Sequence, residues 1–347
     1  MRQINTALCS FGMSGKVFHA PFLHVHHGFN LYAVWERSKS VARGFYPDII
    51  SYNSYEELLQ DPAIDLIIVN TPNYTHYDFT KQALLAGKHV IVEKPFTVTV
   101  REASELMDLA RLQQRVLSVY HNRRWDSDFK TVRRIISEGW LGELVEVEMH
   151  FDRYRIELSP KQHKEAPGPG TGALYDLGSH LIDQALFLFG KPEAVFADLQ
   201  TLRPESLVDD YFELLLYYPQ MRVRLRSSYI VREALPGYIL HGKNGSFIKH
   251  KTDIQEITLQ NGHLPNTPDW GTEPDSEKGF LHAEREGKTV KEYVDSEQGN
   301  YMSYYDGVYA AIVDGAAPPV TAAEGVHVIR IIEAAFQSHA ERRVIEI

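Results

Sequence analysis

The sequence predicts an α/β protein: an N-terminal doubly wound parallel sheet of the Rossmann type, then a C-terminal α+β domain with a large open, mainly antiparallel sheet. Three observations lead to this fold class. Apolar runs alternate with helical patterns up to about residue 120, as in a parallel sheet covered on both faces. A glycine turn follows the first run. From about residue 121, apolar and polar residues alternate with a period of two, which favours antiparallel strands.

Length and composition fit this division. A chain of 347 residues favours two domains, which we assign to residues 1–120 and 121–347, with the C-terminal helix expected to pack back on the first domain. The N-terminus enters an apolar strand at once, and no apolar run approaches the roughly 20 residues of a membrane span. The single cysteine, Cys9, rules out an internal disulfide, which favours a cytoplasmic protein. The formal charge of −10 argues against nucleic-acid or membrane partners.

Five apolar runs predict the strands of the first domain: INTALCSF, FNLYAVW, DLIIVNTP, HVIVEKP and RVLSVYH. Helices between them have recognisable ends. Ser54 with Glu57, and Thr99 with Glu102, fit capping boxes, and Gly87 fits a left-handed helix stop.

The glycine turn SFGMSG follows the first strand. Gly12 and Gly15 occupy the second and third glycine positions of a G-x-G-x-x-G fingerprint, with Met13 and Ser14 between them, while Ser10 departs from the first position. Gly12 would let the backbone approach a pyrophosphate, and Gly15 would let the helix pack on the strand. The alternative is a tight turn without a ligand.

An acidic residue follows at the distance that this fingerprint requires. Glu36 ends the second strand about 20 residues after the turn, where a carboxylate would bind a ribose 2′-hydroxyl; the alternative is a surface glutamate. Arg37 and Ser38 come next, and a guanidinium there would accept the 2′-phosphate of NADP or stack on adenine. Charge slightly favours NAD, and the sequence leaves both cofactors open.

Two further segments end strands at the carboxyl edge of the sheet, where open α/β sheets bind ligands. The polar loop NTPNYTH, residues 70–76, offers Thr71, Asn73 and His76 to the cofactor, although Asn73 and Thr75 also suit helix caps. The fourth strand breaks off at Glu93-Lys94-Pro95, because proline cannot donate to a ladder. We expect Lys94 to face the nicotinamide and the substrate.

The second half predicts a different architecture. SDFKTVRRIISEG reads as a helix, LVEVEMHFDRY and MRVRLRSSYIV as antiparallel strands, and YILHGKNGSFIK as a hairpin. Residues 261–300, rich in Gly, Pro, Asp, Glu and Asn, predict a long surface excursion, followed by a helical tail and a strand-like VIEI. The open sheet face predicts a homodimer or homotetramer interface.

Two clusters in this half could carry chemistry. The helix in GALYDLGSHLIDQALFLFG would place Asp176, His180 and Asp183 on one face, a set suited to acid/base work. The alternative is a helix-terminal charge beside a partly buried histidine, and because no third-ligand motif supports a metal site, we predict none. The segment SVYHNRRWDSDF concentrates donors and aromatic rings, as a polyhydroxylated ligand needs, or else forms a linker with salt bridges.

With the glycine loop, EKP, YHNRRW and YDLGSHLIDQ in view, the chain resembles the Gfo/Idh/MocA oxidoreductases nearly end to end, and among them most closely the NADP-dependent scyllo-inositol dehydrogenases. The specific pairing is E-K-P at the end of a strand and D-x-x-x-H some 80 residues later. The resemblance implies that Lys94, Asp176 and His180 are catalytic. It also implies a dinucleotide site, formed with loop neighbours, that consists of Gly12, Met13, Ser14, Gly15, Glu36, Arg37, Thr71, Pro72, Asn73, His76, Glu93 and Lys94.

Two positions depart from the family pattern. Glu36 stands where NADP-preferring relatives tend to have a small residue, and His163 stands where a tryptophan is expected. The first departure affects the choice between NAD and NADP, and the second affects the substrate pocket.

The mechanism expected from both lines of reasoning oxidises a cyclic polyol in a cleft between the domains. His180 takes the hydroxyl proton, Lys94 stabilises the developing alkoxide, and Asp176 positions a neighbouring hydroxyl. The candidates for substrate contacts are Tyr120, Asn122 and Arg124, together with Asp176 and His180. The alternatives are an aldose or other carbonyl oxidoreductase of the same family, or a sensor that binds the dinucleotide without turnover.

Overall fold

The computed structural model describes residues 2–36, 40–160 and 165–347. The chain divides into two compact units. Unit 1 contains the described residues of Met1–Asn122, Gln255–Trp270 and Asn300–Val326, and unit 2 contains those of Arg123–Ile254, Gly271–Gly299 and His327–Ile347.

Unit 1 is built on a parallel six-stranded sheet in the order β3-β2-β1-β4-β5-β6, which confirms the predicted Rossmann-type fold. Its strands are β1 (Ile4–Leu8), β2 (Phe29–Trp35), β3 (Ile50–Tyr52), β4 (Leu66–Val69), β5 (His89–Val92) and β6 (Leu117–Val119). The residues of β4 are buried throughout, as expected for a strand covered on both faces. The sequence did not predict β3, because this three-residue edge strand is only half-buried and lacks a continuous apolar run.

The helices follow the predicted start and stop signals. Thr99 and Glu102 form a reciprocal capping box, and Ser54 accepts a hydrogen bond from the Glu57 amide. Gly87 has a φ of +74°, the left-handed conformation predicted for it. The helices are α1 (Ala20–Val25), α2 (Tyr55–Gln60), α3 (His76–Leu85), α4 (Val100–Leu112), α5 (Ser127–Ser137), α6 (Ser179–Phe189), α7 (Gln255–Gln260), α8 (Met302–Val313) and α9 (Ala322–Glu341).

Unit 2 is an α+β structure with a nine-stranded sheet in the order β14-β13-β12-β11-β7-β10-β9-β8-β15. Neighbouring strands are antiparallel except β7 and β10, so β7, predicted from its alternation as an antiparallel strand, also has one parallel partner. The strands are β7 (Leu144–His150), β8 (Ala194–Gln200), β9 (Tyr211–Tyr217), β10 (Arg222–Ser228), β11 (Tyr238–Gly242), β12 (Gly245–Lys249), β13 (Gly279–Arg285), β14 (Lys288–Val294) and β15 (Ile345–Glu346).

The prediction of a surface excursion over residues 261–300 was wrong. This region contains β13 and β14, which pair along their full length and form one edge of the sheet. The edge strand β14 buries only Val294, so it lacks the alternation by which a half-buried strand is recognised.

Among the helices of the described ranges, none combines the length and the apolar character that a membrane crossing requires.

Candidate active site

The carboxyl ends of β1 and β4 are joined by Ser10 and Asn70. The Ser10 amide donates to Asn70 Oδ1 and the Asn70 amide Nδ2 donates to the Ser10 carbonyl, both over 2.9 Å. The Ser10 hydroxyl donates to the Asn70 carbonyl, also over 2.9 Å. This third bond needs a hydroxyl side chain, which gives a structural reason for serine at the first position of the glycine fingerprint.

The two glycines of the loop have different surroundings. A Cβ on Gly15 would lie 2.3 Å from the Ser10 carbonyl oxygen and 2.9 Å from Asn70 Nδ2, so close packing requires glycine there. A Cβ on Gly12 would meet only Ser10 Oγ, at 3.9 Å, and both Gly12 and Met13 are exposed. The loop therefore combines a tightly packed glycine with an open backbone surface. This combination fits a pyrophosphate group, as the fingerprint predicts.

Glu36 directly follows β2, and its carboxylate accepts hydrogen bonds from the backbone amides of Val41 and Ala42. One carboxylate oxygen accepts from the Val41 amide over 2.9 Å, and both oxygens accept from the Ala42 amide over 3.3 Å. A ribose hydroxyl would share this carboxylate with the two amides. Arg37 and Ser38, considered above for cofactor choice, lie outside the described residues, as does His163.

The polar loop after β4 is braced by its own side chains. The Thr71 and Thr75 hydroxyls lie 2.6 Å apart, and Thr75 also donates to the Pro72 carbonyl. Asn73 is half-buried and begins the short turn that ends at Thr75.

His76 connects this loop to the segment after β5. Its buried ring places Nδ1 2.8 Å from the Pro95 carbonyl oxygen and Nε2 3.0 Å from that of Thr71. Burial lowers the pKa of His76, against the opposing effect of these two carbonyls, which favours a neutral ring with a single N–H. In the neutral form His76 donates to one carbonyl at a time, and it braces the loop from within.

The Glu93-Lys94-Pro95 segment begins directly after β5. The Glu93 carboxylate accepts hydrogen bonds from the Ser14 hydroxyl, from His19 Nε2 over 3.1 Å and from the Lys94 backbone amide over 3.1 Å. Burial on its own would raise the pKa of Glu93, but the donors His19 and Ser14, together with the charge of Lys94, lower it to about 2. A carboxylate that stays ionised therefore lies between the glycine loop and the half-buried Lys94.

In unit 2, Asp176 and His180 lie where two kinds of helix meet. Leu174–Gly178 forms a π-helical turn and α6 begins at Ser179, so the predicted α-helical face does not extend back to Asp176. Such turns are rare and are frequent at functional sites. His180 is buried, with its ring centroid 6.3 Å from that of Phe151, and Asp176 is half-buried.

Asp209 holds the start of this helical segment. Its carboxylate accepts from the Leu174 amide over 2.8 Å, and its carbonyl accepts from the Ala173 amide over 2.8 Å. Gly172 has a φ of +97°, and a Cβ there would lie 1.9 Å from Asp209 Oδ1. Burial raises the pKa of Asp209 to about 6, while these backbone amides act in the opposite direction.

The remaining candidates from the sequence have partners of their own. Arg124 forms a buried bidentate ion pair with Asp183, so Asp183 is separated in role from Asp176 and His180. Tyr120 is buried and donates to the Phe18 carbonyl over 2.9 Å, and Asn122 is also buried. Substrate contacts by Tyr120, Asn122 and Arg124 stay a prediction.

Sequence reasoning missed three residues that support the candidate site: His19, Asp209 and Tyr305. Only His19 left a signal, as a lone polar residue in the apolar stretch VFHAPFL, which predicts a histidine with buried partners.

Comparison with known proteins gives a consistent assignment. Residues 4–121 match the model of the oxidoreductase family NAD-binding Rossmann fold, and residues 133–347 match that of its C-terminal alpha/beta domain. The scyllo-inositol 2-dehydrogenase (NADP(+)) IolW of Bacillus subtilis is 42% identical over 343 residues, covering 99% of this chain and 95% of that protein.

Two solved structures are similar over the whole chain. The oxidoreductase YvaA of Bacillus subtilis superposes with a TM-score of 0.96 at 41% identity, covering 100% of this chain and 99% of that one. An oxidoreductase of Bacteroides fragilis superposes with a TM-score of 0.91 at 46% identity and covers both chains completely. The chain therefore belongs to the Gfo/Idh/MocA family of oxidoreductases, and its cofactor is NAD or NADP.

Proposed function

We propose that this protein is a dehydrogenase that transfers a hydride between nicotinamide and a CH–OH group of a cyclic polyol or sugar resembling inositol. The proposal rests on Lys94, which lies directly after β5 beside the ionised Glu93, and on Asp176 in the π-helical turn and His180 in the first turn of α6. The activity of the relative IolW supports the choice of an inositol-like substrate.

Each of these residues has a chemical task in the proposed reaction. Bound nicotinamide supplies the hydride acceptor or donor. His180 takes the hydroxyl proton through a ring nitrogen. The Lys94 ammonium stabilises negative charge on the substrate oxygen, and the Asp176 carboxylate accepts a hydrogen bond from a neighbouring hydroxyl.

A panel of inositols and sugars, each assayed with NAD and with NADP, tests this proposal. We expect nicotinamide reduction with at least one cyclic polyol, and a preference for one dinucleotide. Tight dinucleotide binding without turnover of any polyol, aldose or carbonyl compound would instead favour the sensor. Turnover limited to aldoses or carbonyl compounds would favour the other enzymatic alternative.

We also propose that unit 2 forms a homodimer or homotetramer through the outer face of its sheet. Paired residues form a row across eight strands of that face, and most of them are apolar: Phe196, Leu215, Arg224, Glu148, Ile239, Ile248, Phe280 and Tyr293. Tyr293 is 70% exposed in the monomer. Apolar faces of this kind are typical of subunit interfaces.

A cytoplasmic location suits the single, buried Cys9.

A further inference from the structure

His19 is fully buried. It is the last residue of the π-helical turn Gly15–His19, which begins at the last glycine of the glycine loop. Its two ring nitrogens have different partners. Nε2 lies 3.1 Å from Glu93 Oε1, and Nδ1 lies 2.8 Å from the Tyr305 hydroxyl. Tyr305 on α8 is also fully buried, and its hydroxyl lies 2.6 Å from the Phe18 carbonyl oxygen, so its one proton is shared between that oxygen and His19 Nδ1.

These contacts fix both oxygens of the Glu93 carboxylate. An ionised carboxylate can only accept, so His19 Nε2 must carry the proton that it shares with Oε1. Oε1 also accepts from the Ser14 hydroxyl, and Oε2 accepts from the Lys94 amide. Rotation of the carboxylate would therefore break bonds to the glycine loop and to the Lys94 backbone together.

We propose that His19, held by Tyr305, is a positioning residue that fixes the Glu93 carboxylate between the dinucleotide-binding loop and the backbone of Lys94. This inference deepens the proposed function and rests on it for the catalytic role of Lys94. It involves residues of unit 1 only. In this arrangement one buried hydrogen-bonded chain sets both the shape of the glycine loop and the position of the lysine.

The groups around Glu93 keep its carboxylate ionised. The titratable groups that act on or contact its carboxylate are His19 from the glycine-loop turn, Lys94 beside it, His76 from α3 and Tyr305 from α8. Burial opposes the ionised form, and His19 is the first of the groups that favour it. If His19 moves away from Glu93, the carboxylate loses this hydrogen-bond donor and its pKa rises. A protonated Glu93 would then lose an acceptor site for Ser14 or Lys94.

Two adjacent tyrosines on α8 provide a matched test. Tyr305→Phe removes the hydroxyl that holds His19. Tyr304→Phe removes an equally buried hydroxyl that instead lies 2.9 Å from Ser118 Oγ. We would measure the dissociation constants of NADH and NADPH by nicotinamide fluorescence from about pH 5 to 9, and kcat and KM for the polyol over the same range.

We expect Tyr305→Phe to weaken dinucleotide binding by about 5-fold across this pH range, the effect of one lost buried hydrogen bond. It should also lower kcat, through the position of Lys94, without changing KM for the polyol. Tyr304→Phe should match the wild type in both measurements. His19→Gln, which keeps a donor towards Glu93, should retain more affinity than His19→Ala.

Equal effects of the two tyrosine variants, or a Tyr305→Phe protein with wild-type affinity and kcat, would overturn the inference and leave His19 a purely structural role. Failure of the wild type to oxidise any polyol would overturn the proposed function, while the binding measurements would still decide the role of His19.

Discussion

The guanidinium of Arg124 and the carboxylate of Asp183 form a bidentate ion pair inside unit 2. Arg124 Nε lies 2.9 Å from Asp183 Oδ2, and Nη2 lies 2.7 Å from Oδ1. The two side chains are 4% and 2% exposed. The pair joins the start of unit 2 to α6, the helix that carries His180. Breaking the pair should therefore destabilise unit 2.

Replacing Asp183 by asparagine should lower the free energy of unfolding by about 3 to 5 kcal/mol, because the buried Arg124 charge loses its partner. Urea unfolding followed by circular dichroism measures the change. The exposed pair of Asp108 and Arg111, 3.7 Å apart, provides the control: Asp108→Asn should cost about 0 to 1 kcal/mol. Similar costs for the two variants would contradict a strong buried pair.

The two glycines of the loop should respond differently to alanine. Gly15→Ala forces a Cβ against the Ser10 carbonyl and should lower Tm clearly. Gly12→Ala has room to fold, so Tm should stay near the wild-type value while the dinucleotide dissociation constant rises by at least about 10-fold. Differential scanning calorimetry and fluorescence titration separate the two effects. A Gly12→Ala protein that binds normally would show that the pyrophosphate does not approach this backbone.

The sequence predicts the parts of this structure that local patterns encode. Strands β1, β2, β4 and β5 were predicted because strands inside a parallel sheet are nearly continuous apolar runs, and β6, an edge strand, was predicted because its residues are also buried. The edge strands β3 and β14 are short or mostly exposed, so they leave no such pattern. Pairs such as His19 with Tyr305 are 286 residues apart, and no local pattern encodes contacts of that kind. The π-helical turn at Leu174–Gly178 was missed because spacing alone assumes an α-helix.

Lys94→Ala should lower kcat by about 100- to 1,000-fold, the usual loss when a charged group that stabilises a developing oxyanion is removed. Dinucleotide affinity should stay nearly unchanged, because the Lys94 backbone amide, which the variant keeps, is the group that donates to Glu93. Steady-state kinetics and fluorescence titration measure the two quantities. Lys81→Ala, on an exposed face of α3, is the control and should keep wild-type activity. A Lys94→Ala protein that retains most of its turnover would remove the lysine from the mechanism.

Asp126 should make the protein less stable as the pH rises. Burial raises its pKa to about 8, with Arg123 opposing the shift and Asp253 and Asp128 adding to it. The unfolded chain, with an ordinary pKa of 3.8, releases this proton earlier, so stability falls as the pH rises from about 4 to 8.

Asp126→Asn cannot ionise and should therefore flatten this dependence. Its Tm should lie near the wild-type value at about pH 4 and above it at about pH 8.5, as scanning calorimetry would show. Asp275→Asn, at a position that is 97% exposed, should leave the wild-type profile unchanged. If the Tm difference between the wild type and Asp126→Asn is the same at both pH values, Asp126 has an ordinary pKa in the folded protein.

The outer face of the unit 2 sheet should govern oligomeric state. Phe280 lies in the cross-strand row between Ile248 and Tyr293, so Phe280→Glu places a charge in the middle of the apolar half of that face. Because burying an unpaired carboxylate is costly, the variant should dissociate at concentrations where the wild type remains assembled. Size-exclusion chromatography with light scattering measures the mass. Leu112→Glu, at a 77% exposed position of α4 in unit 1, adds the same charge away from the sheet and should leave assembly intact. A wild type with the mass of one chain, or a Phe280→Glu protein with the wild-type mass, would contradict an interface on this face.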